Sequence, residues 1–168
     1  MTPEERRQFV REHRTAIFGY PRQQHGPAMS IVYYVMDGEE ILVSTMAARA
    51  KAKAVARSPK VSLCVLDEQW PPNYLQVYCD ATLDRDFDRV VDVMMGIAAV
   101  MAGAPMPEDV RPMVEAGARV EERVVVRLRP YATFCTPPRH VESADDINPN
   151  LLHSTSASLP WDADRGAA

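Results

Sequence analysis

The dipeptide Asp37-Gly38 constrains the fold of this 168-residue chain more than any other feature. It lies between two β-rich runs, residues 28–36 and 40–45, and such a dipeptide typically forms the tight turn of a β-hairpin. So short a turn leaves no room for the crossover that parallel strands need. The sequence therefore predicts antiparallel pairing rather than a doubly wound parallel sheet.

Patterning elsewhere predicts six or seven short strands with helices between them. The capping box Thr2-Pro3-Glu4-Glu5 predicts a helix that ends near Arg14. Alternating or β-branched runs predict further strands at residues 15–19, 60–66, 74–83 and 121–128, with a seventh at 131–136. Helical spacing and good helix formers predict helices at residues 47–57, 84–102 and 108–118. We expect a mainly β fold with flanking helices, closed as an antiparallel barrel.

The composition is that of a chain that can bury a core, since 46% of its residues are hydrophobic and 25% are charged. We expect one domain over residues 1–139, with a helical insertion at about residues 84–118. A polar tail over residues 140–168 is expected to be poorly ordered or wrapped on a partner. The longest apolar stretch, residues 93–107, is too short to span a bilayer. A cytoplasmic protein without membrane partners is therefore expected.

Metal sites and common catalytic motifs find no support in the sequence. The three cysteines, Cys64, Cys79 and Cys135, lie far apart without a C-x-x-C pair, so we expect reduced, mostly buried thiols and no metal. The four histidines are scattered. Dinucleotide-binding, P-loop, serine-hydrolase and zinc-protease motifs are all missing from the sequence.

Charge is distributed unevenly along the chain. The net charge is −4, which argues against general nucleic-acid binding. However, residues 41–66 contain five of the 19 basic residues and none of the 23 acidic ones, so this segment carries +5 and the rest −9. The five cations are Arg49, Lys51, Lys53, Arg57 and Lys60. A compact anion site on an acidic protein fits a phosphorylated small molecule better than a long polyanion.

Within this segment, a predicted strand ends at Ser44-Thr45 and leads into the helix that contains Arg49 and Lys51. The start of a helix exposes unpaired N–H groups and the positive end of the helix dipole. Hydroxyl groups and cations at that position suit a bound phosphate.

Helical phase distinguishes the cations of this helix. Arg49, Lys53 and Arg57 are spaced by four and share one face, whereas Lys51 lies on the inward side. The apolar residues of that inward side are Ala48, Ala52 and Val55. Lys51 therefore either meets an anion or extends its ammonium group to water, and Lys53 and Arg57 are expected on a solvated face.

Aromatic and polar residues near the strands allow two interpretations. Trp70, Tyr74, Tyr33 and Tyr34 could stack on a flat ring or could pack in the core. Ser30 and Gln76 could donate to a heterocycle or satisfy backbone groups. The stripe of Met94, Met95 and Met101 is expected in the core, and Trp70-Pro71-Pro72 is expected to be a rigid turn.

Three segments together resemble the pyridoxamine 5′-phosphate oxidase-like FMN-binding split-barrel superfamily: GPAMSIVYYVMDGEEILVST, MAARAKAKAVARSPKVSLCVL and YLQVYCDATL. The resemblance extends roughly from Arg11 to Pro137. The single residue between Arg49 and Lys51 is similar to the flavin/deazaflavin oxidoreductase B branch, whose members commonly use coenzyme F420. An Arg to Lys ratio of 16 to 3, with abundant Ala, suggests a GC-rich actinobacterial genome.

This resemblance implies a six- to seven-stranded antiparallel split β-barrel that forms a homodimer with cofactor sites at the subunit interface. The residues that it implies for the phosphate-bearing part of the cofactor are Ser44, Thr45, Arg49 and Lys51. It implies Met29 and Ser30 near the ring, and Tyr74 and Gln76 closing the pocket, in one arrangement from the partner chain. Cys79-Asp80-Ala81 departs from the family pattern, which has glycine before the alanine, and so does the helical insertion.

The leading functional hypothesis is an F420-dependent reductase that transfers a hydride to a small conjugated or planar acceptor. No catalytic side chain is identified, and protonation is expected from solvent or from Tyr33. The first alternative is an FMN-dependent oxidoreductase on the same barrel. The second is a non-catalytic binder of F420, haem or a lipid-like ligand, with His25 or His140 as haem ligands to test. On this hypothesis Lys51→Ala weakens coenzyme binding, and Lys53→Ala has almost no effect.

Overall fold

One curled antiparallel sheet with helices on its outside forms the protein, as a computed structural model shows for residues 1–67, 69, 73–135 and 158–162. The helices are α1 (Pro3–Glu12), α2 (Ala50–Arg57), α3 (Phe87–Ala102) and α4 (Arg111–Val120), the last preceded by a short 3-10 turn (Glu108–Val110). The strands are β1 (Thr15–Tyr20), β2 (Ala28–Tyr33), β3 (Val35–Asp37), β4 (Glu40–Met46), β5 (Lys60–Asp67), β6 (Asn73–Asp84), β7 (Arg123–Phe134) and β8 (Leu159–Pro160).

The strand order is β2-β1-β5-β6-β7-β4-β3, with β8 paired to β7. All strand pairs in the described residues are antiparallel, and the hairpin of β3 and β4 turns at Gly38, whose φ is +59°. The strands at the two ends of this order, β2 and β3, are joined in sequence by Tyr34 alone. The sheet must therefore curl until its ends lie side by side. The predicted split β-barrel is confirmed.

Tyr34 divides the run that we predicted as one strand over residues 28–36. Its side chain is buried, and its hydroxyl donates a hydrogen bond to the carbonyl oxygen of Val10 at 2.7 Å. Because α1 supplies that acceptor, the break depends on a distant part of the chain. The chain leaves one edge of the sheet at Tyr33 and joins the opposite edge at Val35.

The two strands predicted at residues 121–128 and 131–136 are one continuous strand, β7. Its pairing with β6 shifts register at Tyr78/Cys79, where Pro130 is opposite Cys79 and Ala132 is opposite Tyr78. Tyr131 is the extra residue of a β-bulge. A bulge tolerates proline, which has no N–H to donate to the ladder, so Pro130 does not end the strand.

Two clusters of buried side chains stabilise the fold. The barrel interior is filled from every strand around it, and its largest members include Phe18, Leu63, Leu75 and Leu128. A second cluster packs α3 and α4 against the outer face of β4 and β7, where Leu42 and Val125 are buried. The predicted helical insertion therefore covers the outside of the barrel. None of the helices in the described residues is long and apolar enough to cross a membrane.

The described part of the predicted tail, residues 158–162, packs against its own chain, which the sequence did not predict. Trp161 is buried, and its Nε1–H donates to a carboxylate oxygen of Glu39 at 2.8 Å. The Arg6 guanidinium donates to the carbonyl oxygens of Pro160 and Trp161. The remaining tail residues, His140 among them, and Trp70-Pro71-Pro72 lie outside the described residues.

Candidate functional site

A cavity of about 400 Å³ opens where the two edges of the barrel meet. Strand β2 and the end of β4 form its floor, α2 lies at one side, and α3 and α4 cover it. The lining residues are Ile31, Val32, Tyr33, Ser44, Lys51, Met94, Ile97, Ala98, Met101, Val114 and Arg123. None of them is acidic, and most are apolar. A cavity of this volume and lining has the character of a small-molecule site.

Lys51 is the distinctive group in this cavity. It lies in the first turn of α2, one turn before the buried Ala54 and Val55, so its side chain points inward as the helical phase predicted. Its Nζ lies 5.1 Å from the ring centroid of Phe18, a side chain of the barrel core. No carboxylate of the described residues forms an ion pair with it.

Burial without a counter-charge lowers the pKa of Lys51 from 10.5 to about 8. At neutral pH the ammonium group is still charged and has lost much of its hydration. The first turn of α2 contains no acidic side chain, and no side chain caps it. The field at this position therefore favours an anion.

Two serine hydroxyls are buried without a hydrogen-bond partner, those of Ser30 and Ser44. Ser44 lines the cavity beside Lys51. Ser30 is directly opposite Phe18 in the pairing of β1 and β2, so its side chain lies on the face of the sheet that carries Phe18. An unsatisfied buried hydroxyl typically costs about 1–3 kcal/mol, and a ligand that bonds to it removes that cost.

The other residues predicted around the phosphate do not converge on the cavity. Thr45 follows Ser44 on β4 and therefore faces the barrel interior with Val43. Arg49 is exposed as the N-cap residue of α2, which begins at Ala50 rather than at residue 47. The expected inward position of Ala48 is wrong, because residues 47–49 form a turn and leave it exposed.

Met29, Tyr74 and Gln76 also lie away from the cavity. Met29 is 73% exposed on the edge strand β2. Tyr74 and Gln76 point outward from β6, because Leu75 and Val77 between them fill the barrel. The ring of Tyr74 lies 6.3 Å from that of Phe134 on the same outer face. Closure of the pocket by Tyr74 and Gln76 of a partner chain stays a prediction.

The inserted helices supply a wall of the cavity that sequence reasoning assigned to the core. Met94, Ile97, Ala98 and Met101 line it, whereas Met95 is buried in the second cluster. Ile97, Ala98 and Met101 follow Met94 by three, four and seven residues. This spacing marks one helix face, so the sequence did contain a signal for this wall. Tyr33 lines the cavity, and Tyr34 is in the core.

The exposed face of α2 matches its prediction, since Lys53 and Arg57 are both exposed. They line a separate, polar cleft that also contains His25. His25 therefore does not line the apolar cavity. The three cysteines are free thiols, Cys79 buried and Cys64 and Cys135 half-buried.

A family model described as pyridoxamine 5′-phosphate oxidase matches residues 2–134. The chain belongs to the pyridoxamine 5′-phosphate oxidase family. Its fold and the resemblance of its motifs agree with this family of split-barrel oxidoreductases. A search of the curated proteins gives no match to this sequence.

Solved structures with the split-barrel fold of this family extend the comparison. The conserved hypothetical protein Rv2991 from Mycobacterium tuberculosis aligns with a TM-score of 0.70 at 21% identity, over 86% of this chain and 94% of its own. A protein named F420 reductase aligns at 0.60 and 20%, over 75% and 93%. The haem storage protein HutZ from Vibrio cholerae aligns at 0.57 and 18%, over 80% and 94%. Similarity at these identities establishes the shared fold.

Proposed function

We propose that this chain is a cytoplasmic F420-dependent reductase that acts on a small conjugated or planar acceptor. The observation that carries the proposal is the half-buried Lys51, which has no ion-pair partner, together with the unpartnered Ser44 hydroxyl in the lining of the same apolar cavity. A phosphate group can pair with the Lys51 ammonium and accept a hydrogen bond from the Ser44 hydroxyl, and a flat ring system can pack against the apolar wall of the cavity. The protein named F420 reductase, with the same fold, and the spacing of Arg49 and Lys51 support the choice of coenzyme.

The residues present fit a phosphorylated redox coenzyme. Lys51 and Ser44 would hold its anionic part. Ser30 would donate a hydrogen bond to a polar atom of the coenzyme. The bound coenzyme supplies the hydride donor. The protein binds and orients the two reactants, and the apolar side chains of α3 exclude water from their contact.

Tyr33 is the residue of the cavity that is best suited to supply a proton to the reduced acceptor. It lines the cavity and is half-buried. Its phenol group can donate a hydrogen bond and then a proton to an oxygen or carbon that gains negative charge. Tyr33→Phe is expected to lower the rate of acceptor reduction without changing coenzyme affinity.

The proposed enzyme is a homodimer. Strand β2 is an edge strand, and its outward side chains Met29 and Ile31 are 73% and 75% exposed. An exposed apolar edge of this kind is suited to contact with a second copy. In such a dimer, Tyr74 and Gln76 of the partner chain would complete the pocket.

A parallel titration of the purified protein with F420, FMN and haem tests the proposal. We expect F420 to bind with micromolar or tighter affinity, FMN more weakly, and haem without a defined Soret shift. Reduced F420 should then be oxidised in the presence of a panel of planar acceptors. Preferential binding of FMN or haem would refute the assignment of F420 as the cofactor. F420 binding without turnover of any acceptor would indicate a carrier rather than an enzyme.

A further inference from the structure

A second cleft, of about 300 Å³, lies on the opposite side of α2 from the Lys51 cavity. The exposed face of α2 forms one wall, and the connection between β1 and β2 forms the other. Its lining residues are Tyr20, Arg22, Gln23, Gln24, His25, Ala50, Lys53 and Arg57. No residue of this set lines the Lys51 cavity. We call it the basic cleft.

The charge of the basic cleft is of one sign. Arg22, Lys53 and Arg57 carry positive charge, His25 is a fourth basic side chain, and none of the described lining residues is acidic. In the described part of the chain, no carboxylate forms an ion pair with Arg22, Lys53 or Arg57. The net charge of the protein is −4, so acidic residues that could pair with these cations are plentiful.

Several cations elsewhere on this protein have a carboxylate partner. Arg7 pairs with Glu39 and Asp162, and Arg127 pairs with Glu40. In the basic cleft, by contrast, Lys53 and Arg57 are one helical turn apart and repel each other, a spacing that destabilises a helix on its own. The β1–β2 connection adds Arg22 to the same space. An anion between these groups would convert mutual repulsion into attraction.

We propose that the basic cleft binds a small anion that carries two or more phosphate or carboxylate groups. The three cations approach from two elements, so one ligand can contact all of them. The amides of Gln23 and Gln24 and the start of α2 at Ala50 add neutral donors to the same volume. The size of the cleft and the −9 charge of the remaining chain disfavour a long nucleic acid.

Isothermal titration of the whole protein with inorganic tripolyphosphate and with citrate tests this proposal. The double variant Lys53→Gln/Arg57→Gln should bind the favoured probe at least about tenfold more weakly than the wild type. Arg85→Gln/Arg129→Gln is the matched control, because both arginines are exposed and unpaired outside the cleft, and its affinity should change less than about twofold. Preference for tripolyphosphate identifies a polyphosphate ligand, and preference for citrate identifies a polycarboxylate.

Three results would overturn the proposal. The first is failure of both probes to bind at about millimolar concentration. The second is equal loss of affinity in the cleft variant and the control, since that shows only a general effect of net charge. The third is loss of binding in Lys51→Met with the cleft variant unaffected, since that places the anion in the Lys51 cavity. Coenzyme binding is measured separately, so failure of the proposed function leaves this test unchanged.

Discussion

Replacement of Lys51 by methionine should stabilise the ligand-free protein. Methionine has a similar length and can pack against the apolar lining of the cavity, whereas the lysine side chain is half-buried there without a counter-charge. Burial lowers the pKa of Lys51 from 10.5 to about 8. One pKa unit corresponds to about 1.4 kcal/mol, and solvent screens part of this half-buried side chain, so the charged form costs the folded state about 1–2 kcal/mol at pH 7.

The direction of the pH dependence of stability follows from the number of protons that Lys51 binds in the folded and the unfolded state. Below pH 8 Lys51 is protonated in both the folded and the unfolded chain, and the full cost is present. Between pH 8 and 10.5 the folded protein has lost this proton and the unfolded chain still holds it, so the stability of the wild type rises with pH. The advantage of Lys51→Met should therefore be largest at pH 7 and should shrink toward pH 10.5.

Thermal unfolding of the ligand-free proteins at a series of pH values measures this effect. At pH 7 we expect Lys51→Met to raise the Tm by about 2–8 °C, which corresponds to about 1–2 kcal/mol for a domain of this size. Lys53→Met is the matched control on the exposed face of α2 and should change stability by less than about 0.5 kcal/mol. An unchanged or lower Tm of Lys51→Met at pH 7, or a gain that does not shrink above pH 8, would refute the reasoning.

Further predictions concern the same cavity and the C-terminal contact. The affinity of the wild type for F420 should fall by up to about tenfold per pH unit above pH 8, and Lys51→Met should lack this dependence, as fluorescence titration would show. Ser44→Ala should leave the Tm unchanged or raised and weaken F420 binding about five- to tenfold, because the lost hydroxyl has no partner in the free protein. Ala98→Phe fills the cavity and should reduce the affinity for F420 at least about tenfold at unchanged far-UV circular dichroism. Trp161→Ala should lower the free energy of unfolding by about 3 kcal/mol in urea, because a buried indole and its hydrogen bond to Glu39 are lost.

Local patterns predicted those parts of the fold that depend on neighbouring residues. Asp37-Gly38 forms the expected hairpin, and the alternation along β6 places Leu75 and Val77 in the barrel interior. Helical phase alone placed Lys51 inward and Lys53 outward, because a two-residue step on a helix nearly reverses the direction of a side chain.

Features that depend on distant contacts could not be predicted in this way. Tyr34 is one aromatic residue in a β-rich run, and its acceptor is the carbonyl oxygen of Val10 on another element. From sequence alone, Pro130 predicts the end of a strand. It is tolerated within β7 because the pairing of β6 and β7 shifts register beside it. The basic cleft required Arg22 to come next to α2, and no pattern in either segment indicates that approach.

The groups at the Lys51 cavity are more simply explained by ligand binding than by stability. A domain of ordinary size is stable by only about 5–15 kcal/mol, and the unpaired ammonium of Lys51 opposes folding by about 1–2 kcal/mol. The buried hydroxyls of Ser30 and Ser44 add to that cost because neither has a partner in the described structure. If these groups served stability, they would have hydrogen-bond partners within the chain, as Arg6 and Trp161 do. Lys51 and Ser44 line the same cavity, and together they form a site that is completed only when a ligand with negative charge and hydrogen-bond acceptors enters it.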